Sequence, residues 1–252
     1  MILRKWEELP IEMQTDEVRY YYDILCKKKL SLIMKRLFDI AASAVLLMIL
    51  SPVFIILAIA IKIDSSGPVF YRQERVTTYG KTFRIHKFRT MVSNADKQGS
   101  LVTVKNDSRI TRVGNLIRKY RLDEISQLID VLLGNMTFVG TRPEVVKYVN
   151  QYMPVMRATL LLPAGVTSEA SILYKDEDKL LDGAKKVDDI YIEKVLPGKM
   201  YYNLKSIEKF SFMKDIGIMF KTVLAVLGKD YVADKAGEAE FANSIEKEGL
   251  QV

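Results

Sequence analysis

The chain has 252 residues and a formal net charge of +7, with a single histidine and a single cysteine. These counts exclude an internal disulfide and the usual zinc sites, because such sites need several histidine or cysteine side chains. A bound metal would have to be held by carboxylates and phosphate oxygens, which are ligands for magnesium or manganese.

Residues 1–34 form a predicted amphipathic N-terminal extension. Val18, Tyr21, Tyr22 and Leu25 recur at helical spacing, so this segment is expected to be helical with one apolar face. The first 23 residues contain no apolar run typical of a secretory signal.

Residues 35–63 form the predicted membrane element. Ile40 to Ile61 carries no charged side chain and is long enough to cross the hydrocarbon of a bilayer. Ser51 and Pro52 interrupt it near its centre, and Lys and Arg residues flank both ends. Since basic flanks favour the cytoplasmic side, a helix that enters the membrane, reverses at Ser51-Pro52 and returns fits this pattern. A spanning helix kinked by its proline is the alternative that the segment alone leaves open.

The charge distribution after this element is strongly basic. Between Lys62 and Arg121 there are 14 Lys and Arg residues and 4 Asp and Glu residues. Such a block is typical of binding to anionic lipid headgroups or phosphorylated ligands, and nucleic acid is a weaker interpretation. The segment 229–252 has 3 lysines against 6 acidic residues and is predicted to be a disordered acidic tail.

The remaining residues predict a mainly α protein with a small β-hairpin, an α+β class. Residues 64–150 are expected to form a domain on the cytoplasmic side, and residues 151–228 a helical elaboration. The hairpin is predicted from strands near 69–71 and 82–85, separated by a turn at 77–80. An apolar face at 125–133 predicts a helix that Gly134 ends. The apolar helix predicted over 210–227 fits either core packing or the membrane surface.

Two adjacent carboxylates, Asp123 and Glu124, follow a cationic cluster and precede this apolar helix. Acidic residues at a helix start are often no more than caps that favour the dipole. However, upstream cations would keep Asp123 ionised and hold a phosphate beside it. A carboxylate attacks phosphorus once the phosphate charge is neutralised, so this cluster suits phosphoryl transfer at a membrane.

Six motifs in order resemble the bacterial sugar transferase family, the monotopic polyprenyl-phosphate phosphoglycosyl transferases. They are Lys35-Arg36-Leu37-Phe38-Asp39, the Ser51-Pro52 break, Gly67-Pro68-Val69-Phe70-Tyr71-Arg72-Gln73, Lys87-Phe88-Arg89-Thr90-Met91, Leu122-Asp123-Glu124 and Val139-Gly140-Thr141-Arg142-Pro143. The resemblance implies a monotopic protein with a re-entrant, proline-broken helical hairpin in the bacterial cytoplasmic membrane. It also implies transfer of a sugar-1-phosphate from a UDP-sugar to undecaprenyl phosphate, the first membrane step of surface glycan synthesis.

The resemblance also implies roles for single residues. Asp123 would be the nucleophile that carries the phosphosugar, and Glu124 would assist by placing Mg²⁺, which both carboxylates would bind, or by activating the lipid phosphate. Arg118 and Arg142-Pro143 would bind the phosphates and the nucleotide. Lys87, Arg89 and Arg112 are further substrate-binding candidates, and the family leaves a homodimer open.

This chain departs from the family pattern at a few positions. Ser126 stands where proline is common, Asp130 replaces a common asparagine, Asn135 a common aspartate and Thr141 a proline. Two alternatives to the transferase are a non-catalytic lipid tether, which would need no dyad, and a membrane hydrolase that uses water as acceptor. His86 is interpreted as a structural residue.

Overall fold

In the computed structural model, residues 2–95, 107–175 and 187–249 are described. This part of the chain is mainly helical with three two-stranded sheets, in agreement with the predicted mainly α class. The helices are α1 (Asp16–Cys26), α2 (Lys29–Asp64), α3 (Arg112–Lys119), α4 (Gln127–Leu133), α5 (Val146–Val149), α6 (Glu169–Leu173), α7 (Val187–Ile190), α8 (Leu196–Glu208), α9 (Phe212–Val226) and α10 (Lys235–Gly249). The strands are β1 (Phe70–Tyr71), β2 (Glu74–Val76), β3 (Thr82–Arg84), β4 (Lys87–Phe88), β5 (Met136–Val139) and β6 (Ala164–Thr167).

Helix α2 is the one helix among the described residues that is long and apolar enough to cross a membrane, with a mean hydropathy of 3.0 over its most apolar window. Its middle is exposed, as in Met48 and Ile56, whereas both flanks contact the rest of the protein. At one end Arg36 donates to the carbonyls of Val131 and Leu132, and at the other Asp64 accepts from the Val113 N–H. The helix continues through Ser51 and Pro52, so the reversal there stays a prediction.

A buried ion pair fixes the start of α2 against α9. The Lys35 ammonium lies 2.6 Å from an Asp215 carboxylate oxygen and 2.6 Å from the Val139 carbonyl oxygen. Beside it, the Asp39 carboxylate accepts from the Thr137 hydroxyl and the Phe138 N–H. The basic and acidic residues of the first motif therefore attach the start of α2 to β5 and α9.

The small sheets differ in pairing from the predicted hairpin. The turn lies where expected, at Thr78–Gly80, with φ values of 58° at Tyr79 and 72° at Gly80. However, β3 pairs with β2 rather than with β1, and β1 pairs with β4. The prediction was wrong in its partners because a tight turn joins the nearest extended segments, Glu74–Val76 and Thr82–Arg84, and leaves β1 for the strand further along.

Strands β5 and β6 form a parallel pair that the sequence analysis did not predict. They approach closely at two glycines, since a Cβ added to Gly165 would lie 2.2 Å from the Gly140 backbone. This close contact fixes the backbone at Gly140 and so positions Arg142, the cation that follows β5.

The largest core joins the N-terminal extension to the C-terminal half of the chain. The predicted apolar face of α1 is confirmed, because Val18, Tyr21, Tyr22 and Leu25 are all buried. They share one cluster with residues that include Leu161, Leu196 and Ile245. The extension is thus part of the globular body.

The acidic tail was predicted to be disordered, and this is wrong over Lys235–Gly249, which forms α10. The Glu238 carboxylate accepts hydrogen bonds from the Tyr174 and Tyr202 hydroxyls, at 2.9 and 2.8 Å. These buried bonds, together with Ile245 in the core, hold a helix that composition alone did not reveal.

Helix α9 confirms the predicted helix over 210–227 and turns its apolar face outward. Asp215 and Ile218 are buried, whereas Phe220, Val223 and Leu227 are 69%, 58% and 78% exposed. Its Ser211 side chain caps the N-terminus, and Phe212 lies edge-to-face with Phe38 of α2 at 5.7 Å. The outward apolar face is therefore next to α2.

Candidate active site

The dyad lies in a short 3₁₀ turn, Leu122–Glu124, between α3 and α4. Arg121 precedes it in the left-handed region, with φ of 52°. Helix α4 begins at Gln127 rather than at the dyad, and Gly134 ends it with φ of 87°, as the sequence predicts. The two carboxylates thus lie in a turn between two helices, directly before α4.

Glu124 contacts two of the predicted cations. The Arg142 guanidinium donates to both of its carboxylate oxygens, and the Lys87 ammonium lies 3.5 Å from Oε1. Burial alone would raise the pKa of Glu124, but Arg142 and Lys87 outweigh burial and lower that pKa well below its ordinary value. Glu124 is therefore an anion held in a fixed, charge-compensated position.

Asp123 has a different environment. Its partial burial raises its pKa and the neighbouring Glu124 raises it further, while Lys87 and Arg118 act in the opposite direction. A carboxylate with a raised pKa is more basic and so a better nucleophile than an ordinary aspartate once it is ionised. The adjacent carboxylates are thus electrostatically distinct, one strongly acidic and one more basic.

The structure brings some of the predicted substrate-binding residues to the dyad. Lys87 and Arg142 contact Glu124, and Arg118, in the last turn of α3, acts electrostatically on Asp123. Pro143 is buried, and its carbonyl oxygen accepts from Arg75 at 3.1 Å. It therefore holds the loop that carries Arg142.

Two predicted residues lie elsewhere. The Arg89 guanidinium donates to the carbonyls of Ser65 and Ser66, at 2.6 and 3.0 Å, and so attaches the segment after β4 to the end of α2. Arg112 is exposed at the first turn of α3, and within the described ranges no hydrogen bond or ion pair joins it to either carboxylate. Neither residue is brought to the dyad.

Sequence reasoning missed Arg75 and the partners of His86. Arg75 donates to Gln73 and Pro143, and its charge acts on Lys87 from behind the Arg142 loop. Burial lowers the pKa of Arg75, and Arg142 adds to this effect, whereas Glu144 opposes it. The only signal in the sequence was the position of Arg75 two residues after the glycine-proline motif ends.

The donor set fits a magnesium ion. Across residues 2–95, 107–175 and 187–249, no three His, Cys, Asp or Glu side chains converge as a complete metal site. Asp123 and Glu124 offer two adjacent carboxylates, and Mg²⁺ commonly takes one or two carboxylates while water and substrate phosphates complete its shell. Lys87 and Arg142 already compensate Glu124, so these residues would accept an ion mainly together with a phosphorylated ligand.

Known proteins provide an independent comparison. A family model described as bacterial sugar transferase matches residues 30–229. The chain is 34% identical over 197 residues to the UDP-N-acetylgalactosamine-undecaprenyl-phosphate N-acetylgalactosaminephosphotransferase of Aeromonas hydrophila, covering 77% of this chain and 44% of the relative. It is 35% identical over 196 residues to the UDP-glucose:undecaprenyl-phosphate glucose-1-phosphate transferase of Escherichia coli K12, covering 76% and 39%.

A relative of similar size also matches. The uncharacterized sugar transferase EpsL of Bacillus subtilis is 32% identical over 196 residues, which cover 78% of this chain and 88% of the relative. The chain spans less than half the length of the two phosphotransferases above. The matched region contains α2 apart from its first residue, the dyad, Lys87 and Arg142. This chain belongs to the bacterial sugar transferase family.

Proposed function

We propose that this protein is a phosphoglycosyl transferase that moves a sugar-1-phosphate from a UDP-sugar to undecaprenyl phosphate. The observation that carries the proposal is the pair of unlike carboxylates, with Glu124 bound to Arg142 and Lys87 and Asp123 beside them with a raised pKa. The proposed products are UMP and an undecaprenyl-diphosphate-linked sugar, which would begin a surface glycan.

The first step is attack by an Asp123 carboxylate oxygen on the phosphorus that carries the sugar. The new O–P bond forms as the bond to the bridging oxygen of the diphosphate breaks, and UMP leaves with that electron pair. Asp123 suits this role because its pKa is raised by burial and by Glu124. In the second step an oxygen of undecaprenyl phosphate attacks the same phosphorus, which releases the aspartate and gives the lipid diphosphate.

Cations support both steps by offsetting the negative charge of the phosphates. Arg142 and Lys87 are held by Glu124, and Arg118 acts on Asp123 from the end of α3. Preorganised charges of this kind stabilise a transferring phosphoryl group without reorganisation during the reaction. Mg²⁺, bound at Asp123 and Glu124, would supply further charge neutralisation on the diphosphate.

We further propose a monotopic attachment to the cytoplasmic face of the bacterial membrane. Helix α2 has an exposed apolar middle, and both its flanks are basic and contact the globular body. The outward apolar face of α9 lies beside α2 and supports contact with the lipid surface. This arrangement would bring the lipid acceptor and the dyad together.

The covalent step is testable by intact-protein mass spectrometry. Protein incubated with UDP-sugar and Mg²⁺, without lipid, is expected to gain the mass of one sugar-phosphate, and Asp123→Asn is expected to gain none. Asp23→Asn is the matched control, since Asp23 is a half-exposed carboxylate paired with Arg19 on α1. An adduct on Asp123→Asn would remove this residue as the nucleophile, whereas UMP release from wild-type protein without any adduct would favour direct hydrolysis.

A further inference from the structure

Three hydrogen bonds hold residue 86 against the segment that follows the dyad. The His86 N–H donates to Asp130 Oδ2 at 2.8 Å, and ring atom Nδ1 lies 2.9 Å from Asp130 Oδ1. The Ser126 hydroxyl donates to the His86 carbonyl oxygen at 2.9 Å. The same hydroxyl lies 3.1 Å from the Asp123 carbonyl oxygen. Ser126 and Asp130 are fully buried, so these bonds are shielded from water.

The hydrogen-bond partners define the tautomer of the imidazole. An Arg72 guanidinium nitrogen lies 2.5 Å from His86 Nε2. Arginine only donates, so Nε2 must be the acceptor and Nδ1 must carry the proton that is donated to Asp130. Two hydrogen bonds thus connect the exposed Arg72 through the His86 imidazole to the buried Asp130 carboxylate.

These hydrogen bonds hold the residue next to Lys87, a predicted substrate-binding cation. Lys87 directly follows His86, and its ammonium lies 3.5 Å from Glu124 Oε1. Asp130 and Glu124 belong to the same turn-and-helix segment, one contacting residue 86 and the other residue 87. Anchoring residue 86 on α4 therefore places the Lys87 backbone at the point from which its ammonium reaches Glu124.

We infer that Asp130 and His86 are positioning residues that set Lys87 against the carboxylate dyad. The inference rests on the proposed transferase function for its effect on rate, but the contacts are independent of it. Asp130→Asn keeps an oxygen for the His86 N–H while placing an amide NH₂ opposite Nδ1. If the imidazole accepts from this amide, its proton must move to Nε2, where it opposes the Arg72 donor. Either the contact with residue 130 or the contact with Arg72 is therefore lost.

The only histidine in the chain makes the test direct. Full-length protein purified without a histidine tag and labelled with ¹⁵N-histidine gives NMR signals from His86 alone. Wild type is expected to show the Nδ1–H tautomer, and Asp130→Asn to lose it. In a UMP-release assay, Asp130→Asn is expected to lower kcat by about 10- to 100-fold with KM for the UDP-sugar changed less than about threefold, as for a small misplacement of a catalytic group.

A double variant separates positioning from general destabilisation. Arg72→Ala should allow the Nε2–H tautomer, because it removes the opposing donor. Arg72→Ala/Asp130→Asn is therefore expected to recover part of the kcat lost by Asp130→Asn. Asp23→Asn is the control that should leave kcat unchanged. An Nε2–H tautomer in wild type, full kcat in Asp130→Asn, or strictly additive losses in the double variant would overturn the inference. If wild type releases no UMP, the proposed function fails, and the tautomers of wild type and Asp130→Asn then decide whether the pairing exists.

Discussion

Replacing Lys35 by methionine should destabilise the protein by leaving a carboxylate buried without its cation. The side chains of Lys35 and Asp215 are only 4% and 9% exposed and lie 2.6 Å apart. Removing one partner of such a pair typically costs 3–5 kcal/mol of folding free energy. The loss of folding free energy also has an upper limit, because Asp215 can take up a proton instead of staying charged. Protonating an aspartate whose ordinary pKa is about 3.9 costs about 4 kcal/mol at pH 7, so the loss cannot greatly exceed that value.

The stability of Lys35→Met relative to wild type should depend on pH. Burial already raises the pKa of Asp215 against the effect of Lys35, and removing Lys35 should raise it further. The folded variant then holds its proton more tightly than the unfolded chain, so its stability relative to wild type improves as pH falls. The protonation cost drops from about 4 kcal/mol at pH 7 to about 1.5 kcal/mol at pH 5.

Thermal unfolding in lipid nanodiscs would measure this effect. Lys35→Met should lower Tm by roughly 10 °C at pH 7, given about 2–4 °C per kcal/mol for a chain of this size, and by clearly less at pH 5. Lys35→Met/Asp215→Leu should recover much of the loss, since it removes the unpaired charge. An unchanged Tm in Lys35→Met, or an equal loss at both pH values, would contradict the stabilising role of the Lys35–Asp215 pair.

Three further outcomes are expected. Arg142→Ala should reduce kcat/KM for UMP release by about 100-fold, whereas exposed Arg112→Ala should change it by less than about threefold; equal effects would contradict the site. Gly165→Ala should lower Tm or prevent folding, because its Cβ would lie 2.2 Å from the Gly140 backbone, while Gly217→Ala, with nothing within 4 Å, should be tolerated. Chelation of Mg²⁺ should abolish UMP release and added Mg²⁺ should restore it; activity that persists in chelator would argue against a metal at the dyad.

Local patterns in the sequence predicted several helices well. The buried face of α1 and the helix that Gly134 ends both follow from apolar spacing, which depends only on neighbours along the chain. The proximity of the dyad to cations was equally visible, because Arg118 and Arg121 stand close to the two carboxylates in sequence. The contact of Glu124 with Arg142 was not predicted, although the two motifs that contain these residues are only 18 residues apart.

Long-range pairing was not predictable in the same way. The parallel β5–β6 pair depends on two glycines that meet only after folding, and the Lys35–Asp215 pair joins residues 180 positions apart. Helix α10 was not predictable from the acidic composition of the tail, because composition does not show that the distant Tyr174 and Tyr202 hydroxyls donate hydrogen bonds to Glu238. For the same reason His86 was read as structural without its link to Asp130 and, through Lys87, to the dyad.

The most direct test of the proposed reaction is UMP release by purified full-length protein from a panel of UDP-sugars, with and without undecaprenyl phosphate and Mg²⁺. We expect sustained release from at least one donor that requires both the lipid and the metal and disappears in Asp123→Asn. Sustained release without the lipid, or equal turnover by Asp123→Asn, would contradict the proposed reaction.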